Sequence, residues 1–578
     1  MYPVTRDRKV EFRPGWDYRD IFLLLALLTI IFGIISTAAK FSGSYDYKLQ
    51  IETSLKVLPA YTAQTLLRMA AAYCFSLVFT LVYAYIAYRS KLASLVLIPL
   101  LDILQSIPVL SFLPGVVLAL IAIFPGQRIG VEIASILLIF TGMTWNMTFS
   151  FYQSLSNIPK ELLEAARVYR LNLWQQFWTL ELPSGVLGLV WNSVMSVAGG
   201  WFFLIAIESF TLGSKKFQLP GLGSYLGTAA NNGDFGAIGW GLLVLIGVIV
   251  VIDFFVWRPL IAWAEKFKLE TVEAQNTPQS VVLDFLRRSP TLRILNTRFW
   301  KPLGTAINRG MVYSFSPHTL PQRPRQRSQV VQWLNWLFLS GVTFIVLWGT
   351  WEAALLLKVL SWAEWQEVVT GAILTALRVL TALVLSLAWT VPVGVTIGRN
   401  PRLAQILQPL VQIAASIPAT ALFPVLLLGL TQVGGGLQIG SIVLMMLGTM
   451  WYVLFNVIAG AQSIPSDLFE VARIYKLSRL QRWKTVILPG IFPYLITGII
   501  TAVGGAWNAS IVSEYIDFKG RVVETSGLGA TISQATATGN FPLLLAATAV
   551  MSLMVVLTNR LVWRPLYRLA QEKYQLLA

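Results

Sequence analysis

The sequence has few of the residues on which soluble enzymes rely. Its 578 residues include one cysteine and one histidine, and only 12% of them are charged. One cysteine cannot form an intrachain disulfide, and no cysteine or histidine cluster is present to bind zinc or iron. The Gly-x-x-x-x-Gly-Lys-Ser/Thr loop of common ATPases is also missing. We therefore expect no catalytic residue, no metal site and no cofactor bound by this chain.

Hydrophobic residues, in contrast, are abundant. They make up 56% of the chain, and the mean hydropathy is +0.66. About 20 consecutive apolar residues cross a bilayer as a helix. The runs lie near 20–39, 66–88, 92–124, 130–153, 184–208 and 237–257, and near 332–357, 370–397, 403–432, 438–460, 490–513 and 541–563. They predict roughly twelve spans, and hence an all-α polytopic membrane protein.

The basic residues indicate the orientation of the chain. The net charge of +17 could suggest nucleic-acid binding, but in membrane proteins lysine and arginine concentrate in cytoplasmic loops. Basic residues are frequent in 1–19, in 262–331 and near the C-terminus, and an even number of spans places all three on one side. We expect both termini to be cytoplasmic and no nucleic-acid partner.

The same pattern divides the chain into five predicted parts. They are a tail at 1–19, a first half at 20–261, a basic linker at 262–331, a second half at 332–567 and a tail at 568–578. Residues 280–303 of the linker mix arginines with large apolar side chains. This pattern fits a helix on the membrane surface, although an irregular linker fits equally well.

The two halves repeat each other in sequence. LEAARVYRLNLWQQFWTLELP is echoed by FEVARIYKLSRLQRWKTVILP, so Glu164 aligns with Glu470 at an offset of 306 residues. Upstream, QSIPVLSFLP aligns with ASIPATALFP at an offset of 310, as Pro108 and Pro418 show. Because six spans return the chain to its starting side, the halves are predicted to be parallel repeats.

Each repeat contains a polar segment between its fourth and fifth spans. The segment follows an Ile-Pro pair, carries acidic residues first and has Arg167 or Arg473 later. Proline near a helix start and this order of charges both favour a helix. We therefore expect a short polar helix on the cytoplasmic side of each half.

These segments carry a family resemblance. EAA at 164–166, followed by LELP at 180–183, resembles the EAA loop of permease subunits in binding-protein-dependent ABC importers. The resemblance implies two type I permease halves whose coupling helices dock on ATP-hydrolysing subunits. It implies these coupling residues: Glu161, Glu164, Ala165, Ala166, Tyr169 and Arg170, and Asp467, Glu470, Ala472, Tyr475 and Lys476.

The resemblance also implies partners and a location. Two separate ATP-binding subunits would hold ATP and magnesium, and a periplasmic or lipid-anchored binding protein would deliver the solute. The chain would lie in the inner membrane of a prokaryote. QSIPVLSFLP, GGW at 199–201 and PGLGSYLG further look like the nitrate, sulfonate and taurine type, which implies a small oxyanion such as nitrate, a sulfonate or bicarbonate.

One position departs from the family pattern. Six residues after the motif glutamate the family has glycine, whereas this chain has Arg170 and Lys476. The turn after each coupling helix must therefore be built without the conformational freedom of glycine.

Small and polar residues recur at helical spacing within the fifth span of each half. Such a stripe lets helices pack closely, or it lines a path between the halves. On the second interpretation, which the resemblance favours, the path residues are Asn192, Ser196, Gly199, Trp201, Thr501, Gly504, Trp507 and Asn508.

A second class of transporter also fits twelve spans in two parallel halves. Ion-coupled secondary transporters share this organisation, but they carry ionisable residues in mid-membrane. The predicted spans have few such residues, and the nearest candidate, Asp253, lies close to a cytoplasmic end.

Overall fold

The computed structural model describes most of both halves. It covers residues 50–267, 280–288 and 329–573, apart from 107, 112, 125–127, 213, 214, 433–435, 519 and 520, and it adds scattered positions within 21–36 and 297–308. The N-terminal tail, most of the first predicted span and most of the linker, including His318, lie outside the described residues.

The described chain is almost entirely helical. The first half contains α1 Leu58–Arg89, α2 Lys91–Ser106, α3 Leu113–Ile123, α4 Arg128–Ser156, α5 Lys160–Val168, α6 Leu173–Gln176, α7 Leu182–Glu208, α8 Leu222–Asn232, α9 Phe235–Ile252 and α10 Arg258–Ala264. The linker contains α11 Val281–Arg288. The second half contains α12 Gln329–Leu357, α13 Trp362–Arg399, α14 Pro401–Ser416, α15 Ala419–Gln432, α16 Gly436–Ser463, α17 Ser466–Ile474, α18 Arg479–Arg482, α19 Leu488–Ser513, α20 Leu528–Thr538, α21 Phe541–Thr558 and α22 Arg564–Lys573.

Eight helical stretches in the described residues are long and apolar enough to cross a membrane. They are Leu55–Arg89, Arg128–Ser156, Leu173–Glu208 and Phe235–Phe267, and Trp362–Arg399, Gly436–Ser463, Arg479–Ser513 and Phe541–Ala570. Each contains or overlaps one of the predicted apolar runs, and together they confirm an all-α polytopic membrane protein. Apolar side chains exposed on them, such as Phe75 at 62%, give the surface that lipid would cover.

The third predicted span of each half is broken. Proline-containing segments around Pro108 and Pro418 separate α2 from α3 and α14 from α15. Proline lacks the N–H that would continue a helix, which explains the break. With most of the first run outside the described residues, the total of twelve spans stays a prediction.

The halves repeat each other in structure as well as in sequence. In the first half α4 packs on both α1 and α7, and in the second half α16 packs on both α13 and α19. Large buried side chains fill these contacts, among them Phe151 and Leu204. One apolar core joins residues of both halves, including Trp201 and Trp507.

The structure adds two features that the sequence patterns did not predict. Each half has a two-stranded antiparallel hairpin after its fifth span, formed by β1 Ser209–Leu212 with β2 Lys215–Gln218, and by β3 Tyr515–Phe518 with β4 Arg521–Glu524. Five-residue π-helical turns occur at matching places, Phe177–Glu181 and Trp483–Ile487 before the fifth spans, and Asp253–Trp257 and Asn559–Trp563 in the sixth. Such turns are frequent at functional sites.

Candidate functional site

The two polar segments form short helices at the predicted places. Helix α5 covers Lys160–Val168 and α17 covers Ser466–Ile474. Pro159 and Pro465 are the N-caps and have extended backbone, so each proline lies just before the first turn. An acid in the first turn and an arginine in the last complement the helix dipole in both copies.

Each of these helices buries one face and exposes the other. Ala166 and Ala472 are buried, at 6% and 1% exposure, and Ala165 is half-buried. The remaining predicted coupling residues are exposed: Glu161, Glu164, Tyr169, Arg170, Asp467, Glu470, Tyr475 and Lys476. The small alanines allow close seating on the body of the half, which leaves the acids and tyrosines available to a partner.

Both helices end in the same hydrogen-bonded turn. The Leu171 N–H donates to the Ala166 carbonyl, and the Arg170 N–H donates to the Arg167 carbonyl, each at 3.0 Å. The second copy repeats both bonds at its own C-terminus. This arrangement is a Schellman motif, which requires a left-handed residue.

Arg170 and Lys476 occupy that left-handed position. Their φ angles are +51° and +50°, and among the described residues they are the two non-glycine residues with positive φ. The conformation costs an L-residue about 1–2 kcal/mol that glycine does not incur. The turn is therefore built in the geometry that glycine would adopt, with strain in both copies.

The connection from α5 to its fifth span differs from the connection from α17 to its own. In the first half, buried Glu181 ends the π-turn and accepts from Arg89, the last residue of α1, at 2.9 Å. At the equivalent position the second half has Ile487. There Arg399, at the end of α13, lies 3.6 Å from the ring centre of Phe469 on α17 itself. An ion pair in one half is thus replaced by a cation–π contact in the other.

A buried ionic cluster closes the opposite end of each half. Glu208, the last residue of α7, has 0% exposure. It accepts from Thr65 and from Arg68 Nη1, each at 2.8 Å, and from the Gly223 N–H at 2.6 Å. The cluster ties the first core helix to the end of the fifth span and to the start of α8.

The second half builds the same cluster around Glu514. This carboxylate is also fully buried, and it accepts from Thr375 and from Arg378 Nη1, each at 2.8 Å. The Gly529 N–H donates to it at 2.9 Å. The arginine partners of the two acids were not identified from the sequence. The signal was available, since TLLR at 65–68 and TALR at 375–378 repeat at an offset of 310.

The predicted path residues occupy different environments. Trp201 and Trp507 are core residues with 2% exposure, and Ser196 is also buried. Asn192, Gly199, Thr501, Gly504 and Asn508 are partly exposed. The Asn192 amide donates to the Gly188 carbonyl of its own helix at 3.0 Å. The structure therefore brings only part of the predicted set to an open surface.

A cavity of about 90 Å³ lies between the two halves. Its wall includes Gly199 and Asn508 of the predicted set, together with Phe202, Trp451, Tyr452 and Phe455. A Cβ at Gly199 would lie 3.1 Å from the Tyr452 hydroxyl oxygen, so glycine leaves room for this tyrosine. The repeat pattern did not point to Tyr452, because the equivalent residue of the first half, Asn146, is of a different type.

The repeat-equivalent residues Phe202 and Asn508 contact opposite halves in different ways. The Asn508 Oδ1 accepts from the Val109 N–H at 2.6 Å, beside the break at Pro108. Across the interface, the Phe202 carbonyl accepts from the Thr420 hydroxyl at 3.3 Å, beside the break at Pro418. The two contacts therefore lie at equivalent places in the repeats, but Asn508 accepts through its side chain and Phe202 through its backbone.

Asp253, the candidate for ion coupling, is a paired acid. It is buried, and its carboxylate accepts from Arg258 Nε at 2.9 Å and from Gln412 Nε2 of the second half at 2.9 Å. These contacts hold the carboxylate between α9 and α14.

The chain is similar to importer permeases of known substrate. It is 31% identical over 172 residues to the nitrate import permease protein NrtB of Leptolyngbya laminosa, covering 30% of this chain and 58% of that protein. It is 32% identical over 126 residues to the bicarbonate transport system permease protein CmpB of Synechococcus elongatus, covering 22% and 44%. It is 28% identical over 180 residues to the taurine transport system permease protein TauC of Escherichia coli, covering 31% and 62%. The matched region spans about half the length of these relatives.

A family described as binding-protein-dependent transport system inner membrane component matches the chain twice. The matches cover residues 76–258 and 390–563, which is more than half of the sequence. Each contains one of the short helices α5 and α17 and the buried glutamate at the end of the fifth span. The chain therefore belongs to this family, as an integral inner-membrane protein with two permease domains in one polypeptide.

Proposed function

We propose that this chain is the complete membrane-spanning path of an ATP-driven importer. Two permease halves, commonly supplied by two subunits, would here be supplied by one chain. The observation that carries the proposal is the pair of short helices α5 and α17, each exposed on one face and each connected to a fifth span through a short turn. A push on either helix would reach the interface between the halves through the short turn at 169–172 or 475–478 and then along the fifth span.

The energy for transport would come from ATP hydrolysis by separate subunits. Two ATP-binding subunits would bind at the coupling helices on the cytoplasmic side, where both termini would also lie, and would hold ATP and magnesium. A periplasmic or lipid-anchored binding protein would deliver the solute to the opposite side. ATP binding would draw α5 and α17 together and open the interface outward, and hydrolysis would reverse this change. The two states would bind ATP with different affinities, and hydrolysis of the bound ATP would drive the cycle.

The solute would pass between α7 and α19, at the cavity that holds Gly199 and Asn508. Nitrate, bicarbonate and taurine are named for relatives of this chain, which supports a small oxyanion as solute. The cavity offers the Tyr452 hydroxyl and the Asn508 amide, with aromatic rings around them. Within its described lining there is no lysine or arginine, which favours brief contact over tight binding of an anion.

Reversal of charge on the two coupling helices tests the proposal. The double variant Glu164→Lys/Glu470→Lys removes exposed acids that make no contact with the core, so the membrane fold should remain. In proteoliposomes with the ATP-binding subunits, ATP hydrolysis should continue while uptake falls to background. Unchanged uptake would refute the coupling assignment. Uptake by this chain alone, driven by an ion gradient, would refute the importer proposal itself.

A further inference from the structure

The turns after the two coupling helices are unlike the other left-handed turns of this chain. Among the described residues, the other positions with positive φ are Gly233, Gly436 and Gly539. Gly233 and Gly539 are themselves repeat-equivalent helix ends, at α8 and α20, with φ of +67° and +70°. The left-handed residue is thus glycine after α8 and α20, whereas it is arginine or lysine after α5 and α17.

Local electrostatics does not explain the two cations. A positive side chain near a helix C-terminus is favourable, but Arg167 and Arg473 already lie in the last turns of α5 and α17. Within the described part of the chain, neither Arg170 nor Lys476 forms an ion pair. Strain that is kept at the same position in both repeats indicates a requirement for the side chain itself.

The neighbours of each cation form an exposed apolar surface. Val168 and Tyr169 are 79% and 78% exposed, and Ile474 and Tyr475 are 77% and 75% exposed. Each coupling tip therefore presents an aliphatic side chain, a tyrosine and a cation in succession. Tyrosine and arginine are enriched among the residues that dominate binding at protein interfaces.

We propose that Arg170 and Lys476 each form an ion pair with a carboxylate of an ATP-binding subunit, and that this pair selects the subunit. The proposal rests on the proposed function, because it needs the coupling helices to be the docking site. A cation at the rim of an apolar contact contributes to partner choice and to the rate of association.

The two tips are also chemically different. The guanidinium of Arg170 can bind a carboxylate through two parallel hydrogen bonds, whereas the ammonium of Lys476 acts as a point charge. We therefore expect Arg170→Lys to weaken association and Lys476→Arg to be tolerated.

The decisive variant is Arg170→Gly/Lys476→Gly, expressed with the ATP-binding subunit from the same genome. Glycine relieves the strain, so the apparent melting temperature of the chain in detergent should rise or stay the same. The affinity for the ATP-binding subunit should nevertheless fall at least tenfold, and its dependence on salt should become shallower. A loss of binding with a gain in stability cannot be attributed to misfolding.

Arg170→Gln/Lys476→Gln is the matched control, since it removes the charge and keeps the strain. It should bind as weakly as the glycine variant. If the glycine variant binds the ATP-binding subunit with wild-type affinity at equal salt, the inference is overturned. It is also overturned if the variant binds vesicles of anionic lipid more weakly while its binding to the subunit is unchanged. If the wild-type chain itself retains no ATP-binding subunit, the proposed function fails instead.

Discussion

The two buried glutamate clusters allow a quantitative comparison inside one molecule. Glu208 and Glu514 accept equivalent hydrogen bonds from a threonine, an arginine and a glycine N–H. Their arginines differ. Arg68 forms a second ion pair with Glu132, while Arg378 donates its other hydrogen bond to the Thr525 hydroxyl at 3.0 Å. Substitution of either glutamate by glutamine should therefore have unequal effects.

The magnitudes follow from what each substitution leaves behind. Glu208→Gln leaves the Arg68 guanidinium paired with Glu132, so the cost is that of weakened hydrogen bonds to a charged group, about 1.5–3 kcal/mol. Glu514→Gln leaves the Arg378 side chain, 12% exposed, without a carboxylate. Breaking a buried ion pair from one side costs about 3–5 kcal/mol. The free energy of unfolding should therefore fall by roughly 2 kcal/mol more in Glu514→Gln.

Gln438 offers a rescue of the second cluster. It is the repeat equivalent of Glu132, and the backbone carbonyls of both residues accept from a serine three positions later. Gln438→Glu in the Glu514→Gln background places a carboxylate where Arg68 finds one in the first half. Denaturant titration in mixed micelles should show recovery of most of the difference. Equal losses in the two single variants, or no recovery with Gln438→Glu, would refute the assignment of the difference to the arginine partners.

Two further predictions concern the contacts of Arg89 and Arg399 near the start of the fifth spans, and the cavity between the halves. Arg89→Met should lower the free energy of unfolding by about 3–5 kcal/mol, because it leaves buried Glu181 without its ion pair. Arg399→Met should lower it by about 0.5–2 kcal/mol, the size of a cation–π contact. Equal losses of the two variants in thermal unfolding would contradict this difference. Tyr452→Phe removes one hydroxyl from the cavity wall and keeps the aromatic ring. Uptake of the solute should slow several-fold, while stability and ATP hydrolysis remain as in the wild type. Unchanged uptake kinetics would exclude the hydroxyl from the path.

The sequence alone was sufficient for the features that depend on local pattern. Apolar runs of helical length predicted the eight long spans found in the described part of the chain, because a membrane helix satisfies its own backbone within one segment. The fixed offset between Glu164 and Glu470 predicted the duplication, which the two family matches confirm. The short polar helix predicted between the fourth and fifth spans of each half is present as α5 and α17, since prolines and charge order mark helix boundaries.

Only the tertiary structure decided which residues meet across the fold. Arg68 and Glu208 are 140 residues apart in sequence, and no periodicity relates them. The same holds for Asn508 with Val109, and for Tyr452 at the cavity, because their contacts arise where two halves pack. The departure at Arg170 and Lys476 was visible in the sequence as a missing glycine. That the chain keeps the glycine conformation there, under strain and with exposed cations, is visible only in the folded structure.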